Sequence, residues 1–112
     1  MSTIFTQIIN REIPSKILYE DDKVIAIYDA FPKKPGHFLV IPKDEQANIL
    51  QNNEEDFLHA MKVARMLAKK EIIDQGIAGF KIVINTGKSA GQVVFHTHIH
   101  VIPYRDGEQG EE

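Results

Sequence analysis

Between Phe95 and Pro103 the chain reads Phe-His-Thr-His-Ile-His-Val-Ile-Pro, placing three of its five histidines within five residues. Side chains alternate across an extended strand, so the spacing predicts His96, His98 and His100 on one face and Phe95, Thr97, Ile99 and Val101 on the other. The apolar face is expected to pack and the imidazole face to be presented. Consecutive imidazoles on such a face originate about 7 Å apart, and the outer two about 13 Å.

The flanking sequence supplies further elements. Ile4, Phe5, Ile8 and Ile9 have helical spacing behind a Ser2 or Thr3 cap, which predicts a short helix before Pro14. Residues 15–20 and 24–28 read as a hairpin around Glu20-Asp21-Asp22-Lys23, and the Pro35-Gly36 turn delivers a third strand over 37–41. From 53 to about 73 the period changes. Asn53 caps a helix with Glu54, Glu55 and Asp56 at its positive end and Lys69 and Lys70 near its negative end. Phe57, Met61, Ala64, Ala68 and Ile72 form its expected apolar stripe, widened by Leu58 and Leu67, while His59 falls off the stripe and reads as a solvated surface histidine without a role. Residues 80–85 and 93–102 are two more β-type runs. Strands grouped around one long and one short helix, joined by short turns, point to an antiparallel α+β layer.

Composition bounds the function. With 112 residues and no linker, 1–105 reads as one domain and 106–112 as a flexible acidic tail. A chain of this size lies near the small end for a self-sufficient core, so a dimer sharing core is physically sensible. No cysteine is present, which removes disulfides, thiolate nucleophiles and Cys-ligated zinc and suits a reducing compartment. Outside the last seven residues the charge is nearly balanced, 13 basic against 12 acidic, with no basic run beyond Lys33-Lys34 and Lys69-Lys70. That leaves little footprint for polymeric nucleic acid. No apolar stretch approaches a membrane span and the start lacks signal-peptide features, so a soluble, cytoplasmic protein is expected.

Two motifs fail their structural requirements. Gly87-Lys88-Ser89 lacks the earlier glycine of a phosphate-binding P-loop, since Ile82 stands there. Gly87-Lys88-Ser89-Ala90-Gly91 fits G-x-S-x-G, but a nucleophile elbow needs a strand running into a helix and here a strand follows. The glycine-bearing loop can still expose N–H groups to an anion. For the three histidines, scattered surface placement gains nothing in packing. A metal is a real alternative, because His-x-His is a common zinc arrangement and His37 can add a ligand. Against it, one flat strand converges two imidazoles more easily than three, and no acidic residue accompanies them nearby. Nucleophilic catalysis at phosphorus is the third reading. A neutral imidazole is available near pH 7, and His98 in the centre would attack through Nε2 if an acceptor held its Nδ1–H, with flanking imidazoles meeting phosphoryl oxygens.

The run resembles the signature of the histidine triad (HIT) superfamily, with Thr97 at a usually apolar position. Ile13-Pro14-Ser15, Tyr19 to Asp22, Ala26 to Asp29, Pro35 to Lys43 and Asn85 through Gly91-Gln92 follow in the order of that family, covering nearly the whole chain to Arg105. The resemblance implies a five-stranded antiparallel sheet with one long and one short helix, usually a two-fold homodimer joined through the long helix and a strand. It also implies a nucleotidyl hydrolase or transferase needing no metal or other cofactor. By this likeness His98 attacks the α-phosphorus of a purine nucleoside 5′-phosphoramidate or adenylate, giving a nucleotidyl-histidine that water resolves. A dinucleoside polyphosphate hydrolase, or a nucleotide-binding module with little turnover, is the alternative. The carbonyl of His96 would accept from His98, and His100 and His37 would bind or orient the phosphate. Asn85, Gly91 and Gln92 match the phosphate side, Asp29 the ribose carboxylate, and Phe5, Ile8, Ile27 and Leu39 the base-pocket walls.

The sequence departs from the family in three places. A Cys-x-x-Cys and a later histidine hold a structural zinc in some bacterial members, whereas Thr3-Ile4-Phe5-Thr6 and Lys43-Asp44-Glu45 stand here, so no structural zinc is expected. Val93 replaces a serine that is proposed to protonate the leaving group, which speaks against efficient phosphoramidase activity. After the triad, Pro103-Tyr104-Arg105 leads into the acidic end rather than the Gly-Gly tail of Hint-like chains.

Overall fold

Both helices start on a side-chain oxygen that accepts an otherwise unpaired N–H, as helix caps require. In the computed structural model, which describes residues 2–109, Thr3 Oγ1 accepts from Thr6 N at 3.2 Å to open α1 (Ile4–Ile9), and Asn53 Oδ1 accepts from Asp56 N at 2.8 Å to open α2 (Glu54–Glu71). Five strands follow the expected pattern: β1 (Ile17–Glu20), β2 (Val24–Tyr28), β3 (Phe38–Pro42), β4 (Gly79–Val83) and β5 (Ile99–Tyr104). They form one sheet of order β1-β2-β3-β5-β4 with every pair antiparallel. The β1–β2 hairpin is fixed by Asp21, whose Oδ1 accepts from the N–H of Lys23 at 2.8 Å and of Val24 at 2.9 Å.

Alternation along the strands sorts the interior into two layers. Val24, Ala26, Phe38, Val40, Ile99 and Val101 face α2. Ile25, Ile27, Leu39 and Ile41 face the other way, onto Phe5 and Ile8 of α1. On α2 the buried residues are Ala60, Val63, Ala64, Leu67 and Ala68, whereas Leu58 is exposed and Phe57 and Met61 are half-buried. The expected stripe is therefore rotated. Ala60, Ala64 and Ala68, four residues apart, form a small-residue ridge that lets α2 lie close to the sheet, and the larger side chains move to its flanks.

The last strand corrects a second expectation. Pairing of 93–102 begins only at Ile99, and Phe95 is 47% exposed rather than packed. β3 ends at Pro42, which has no N–H to continue the ladder, and its carbonyl accepts from the His96 ring at 2.8 Å. Thr97 N–H goes instead to Gln46 O at 3.0 Å, and the buried Thr97 hydroxyl donates to Asn52 Oδ1, which accounts for a polar residue at that position. His59 is also corrected. It is half-buried, with Nε2 2.8 Å from Asp21 Oδ2. Burial opposes ionisation of Asp21, but hydrogen bonds from His59, Lys23 and Val24 N–H and Tyr19 hold its carboxyl far below the usual range.

Of the expected tail, residues 110–112 lie outside the described residues; Glu108 turns back to pair with Lys34. Among the described residues no helix is long and apolar enough to cross a membrane.

Candidate active site

The turn between β2 and β3, the loop after β4 and the segment entering β5 meet at one edge of the α1 layer. They enclose a cavity of about 220 Å³ lined by His98, His100, Lys33, Asn85, Gly91 and Val93, with Val83 and Ile102 as apolar floor. The imidazoles are not displayed on an open face. His37, His96 and His98 are buried and His100 half-buried, because α1 covers this side of the sheet and Phe5 packs its ring 4.9 Å from that of His98.

Burial makes each imidazole nitrogen answerable for a partner. His96 is saturated: one ring nitrogen meets Pro42 O at 2.8 Å and the other Thr3 Oγ1 at 2.8 Å. Since Pro42 O can only accept, Nε2 carries the proton and Nδ1 accepts from the Thr3 hydroxyl. His96 thus contributes its carbonyl, which accepts from His98 Nδ1–H at 2.8 Å. That bond puts the lone pair of His98 on Nε2, which has no protein partner among the described residues and belongs to a ring lining the cavity.

A second chain fixes the neighbouring rings. Lys33 N–H donates to His37 Nδ1 at 3.1 Å, so the neutral His37 ring carries its proton on Nε2. His37 Nε2 lies 3.0 Å from His100 Nδ1 and 3.5 Å from Asp29 Oδ2. His100 Nδ1 therefore accepts, and its remaining proton sits on Nε2 as a donor. Burial lowers the pKa of His37, His96 and His98, and burial with His98 and His37 as neighbours takes His100 down to about 4. All four rings are neutral at pH 7.

Asp29, His37 and His100 bring ligand-type atoms within 4.8 Å of one another, a spacing that suits a small cation. The hydrogen bonds do not suit it. A metal on His37 Nε2 would need the lone pair there, while Lys33 N–H already claims the one on Nδ1. The cluster is wired as a hydrogen-bond chain.

Of the residues singled out from sequence, His98, His100, Asn85 and Gly91 come together around the cavity, with His37 and Asp29 directly behind. Asp29 also accepts from Phe31 N–H at 2.9 Å and so shapes the turn before β3. Gln92 is placed elsewhere: Oε1 accepts from Gly87 N–H at 2.9 Å and Nε2 donates to Ala47 O and Val94 O, stapling the glycine loop. Phe5, Ile8, Ile27 and Leu39 are buried together in the core layer under α1. Sequence reasoning missed Lys33, whose contribution is a backbone N–H, and Thr3. At the positions compared with a Cys-x-x-Cys, Thr3 and Thr6 instead bond Glu45, Thr3 N–H at 3.2 Å and Thr6 through its hydroxyl.

Residues 10–107 match the family model described as the HIT domain. A HIT-like protein of Mesomycoplasma hyorhinis is 48% identical over 101 residues, covering 90% of this chain and 91% of that one. A HIT family hydrolase from Clostridium thermocellum superposes with a TM-score of 0.82 at 40% identity, over 97% of this chain and 96% of the other. A hypothetical histidine triad nucleotide-binding protein from Sulfolobus tokodaii gives 0.86 at 39% identity, over 94% and 70%.

Proposed function

Because this chain belongs to the HIT domain family, we propose that its hydrolase-type, nucleotide-binding chemistry runs through His98 Nε2 as nucleophile at phosphorus. The observation that carries this reading is the pairing of His98 Nδ1 with the His96 carbonyl at 2.8 Å, beside a cavity into which Nε2 is left free. Nε2 attacks the α-phosphorus of a purine nucleoside 5′-phosphoramidate or adenylate. The P–Nε2 bond forms, the bond to the leaving group breaks and the electron pair departs with that group, an amine taking up a proton from solvent water as it leaves. The ring becomes a cation with its charge shared towards Nδ1–H, where the His96 carbonyl stabilises it. His100 Nε2–H, held as a donor by His37, meets a non-bridging oxygen. Water then displaces the histidine, releasing the nucleotide. His37 and Asp29 act behind His100, and Asn85 and Gly91 bound the phosphate side.

A homodimer fits the surface. Leu58 and Met66 on α2, Ile73 after it and Phe80 on the open-edge strand β4 are exposed apolar residues of the kind a partner copy would cover.

The deciding experiment is a single-turnover incubation with an AMP-amine substrate in EDTA, followed by mass spectrometry of the 96–100 peptide. An AMP adduct on His98 is expected. AMP release that stops in EDTA, with no adduct, would replace this reading by a metal site.

A further inference from the structure

We propose that the Lys33 ammonium is a further catalytic group of this site, meeting a non-bridging oxygen of the phosphoryl group as His98 attacks it. The proposal rests on the function reading above and adds to it the formal positive charge of the reacting cavity.

The cavity is otherwise lined by uncharged groups. Beside Lys33 stand His98, His100, Asn85, Gly91 and apolar side chains. Burial keeps both imidazoles, and His37 and His96 behind them, in the neutral form at pH 7. A phosphoryl group carries negative charge into this space, and an oxyanion taken from water needs donors or countercharge. Lys33 is the one lining residue with a full positive charge to offer.

Lys33 is carried by a turn that the site itself holds in shape. Between β2 and β3, Asp29 N–H donates to His37 O at 3.0 Å and Phe31 N–H to Asp29 Oδ1 at 2.9 Å. Lys33 N–H donates to His37 Nδ1 at 3.1 Å and His37 N–H to Lys34 O at 3.0 Å. Since the His37 ring is in turn 3.0 Å from His100 Nδ1, the main chain of Lys33 has a set position relative to the reacting rings. The ammonium is close enough to be felt there. Burial is the first cause of the low pKa of His37 and of His100, and the Lys33 charge adds to it at both.

The side chain is also free for an incoming anion. Its Nζ has no hydrogen bond or ion pair among the described residues, whereas the neighbouring Lys34 is paired with Glu108. In the proposed step the His98 Nε2–P bond forms and the bond to the leaving group breaks, while Lys33 Nζ–H donates to a non-bridging oxygen and keeps its proton. Attack by the imidazole lone pair pushes electron density onto that oxygen. The contact is therefore stronger in the transition state than in the bound substrate. Any residue but proline could give His37 its N–H, but this second role needs a cationic side chain.

The test uses the full chain and measures AMP and adenosine binding by calorimetry, together with the single-turnover rate of AMP-adduct formation from the AMP-amine substrate. Lys33→Gln keeps the main-chain N–H. It is expected to weaken AMP about tenfold at low salt and less at high salt, with adenosine affinity unchanged. Adduct formation should slow more than AMP binding weakens, by about 30-fold, and Lys33→Arg should restore most of both. Lys34→Gln should leave both at the level of the unsubstituted protein. An adduct rate in Lys33→Gln within about twofold of the unsubstituted rate would overturn the proposal and leave the His98 reading standing. So would loss of adenosine affinity in parallel with AMP, which marks a turn that has lost its shape. If the unsubstituted protein forms no adduct on His98, the function reading fails and the role of Lys33 with it.

Discussion

The face of the sheet under α2 and the face under α1 are both buried, yet they meet different demands. Val24, Ala26, Phe38, Val40, Ile99 and Val101 meet Ala60, Ala64, Leu67 and Ala68 with no side-chain polar atom among them. Across the sheet, four imidazoles are interleaved with Phe5, Leu39 and Ile41. An apolar layer tolerates any contact that fills space, whereas a buried imidazole costs stability unless its nitrogens are paired. His96 and His37 meet that requirement through Thr3, Pro42 and Lys33. His98 meets it on one nitrogen only. The difference between the faces leaves two ring nitrogens without a protein partner among the described residues, His100 Nε2–H as a donor and, as the open lone pair, His98 Nε2.

The strongest way to break the comparison is to remove that atom. His98→Ala is expected to lower turnover by about 10⁴-fold or more while leaving the fold intact, as loss of a nucleophile does. Retention of most of the rate in steady-state assays would show that the open nitrogen is not the reacting one. Leu67→Ala makes the opposite cut. It should cost about 2–5 kcal/mol in chemical denaturation, a cavity penalty, with the rate per folded molecule changed less than twofold. A large rate effect would mean that the two faces are not separable.

Thr3 joins the two demands, since one hydroxyl caps α1 and donates to His96 Nδ1. Thr3→Val is expected to cost about 1–2 kcal/mol from the lost cap and hydrogen bond. Turnover should fall several-fold as the His96 carbonyl loosens behind His98. Thr3→Ser keeps both bonds and should rescue both readouts; rescue of stability alone would confine Thr3 to the helix.

Legibility in the sequence follows the same division. The sheet, the two helices and the placement of His98 were readable because alternation, caps and turn residues are local signals. The α2 stripe was misplaced because helical spacing alone does not say that Ala60 and Val63 pack closest while Leu58 faces outward; the sheet decides that. Phe95 to His98 read as strand because nothing local announces that Pro42 ends the ladder from the opposite side. Gln92 and Lys33 lay beyond sequence reasoning for a related cause. One spends its side chain on the backbone of Gly87, Val94 and the distant Ala47, and the other acts through a main-chain N–H that every residue but proline carries.

The smallest expected effect is the most selective between the faces. Burial holds the folded-state pKa of His37, His96, His98 and His100 below the ordinary value of 6.5, with His100 at about 4. Below 6.5 the unfolded chain takes up protons that the folded chain refuses, so this contribution is complete above 6.5 and is lost as pH falls towards about 4. Glu20, Glu45, Glu108 and Asp21 are all held below their ordinary values, so they lose their contribution only at lower pH. Across the interval from pH 6.5 to 4.5 the four imidazoles of the α1 face therefore contribute to the slope. In denaturation series there, Leu67→Ala should shift the stability curve down without changing its slope, because Leu67 packs within an apolar cluster. His100→Gln should flatten the slope. Equal slopes in both variants would mean that the acid response comes from elsewhere and that the imidazoles are not held neutral by burial.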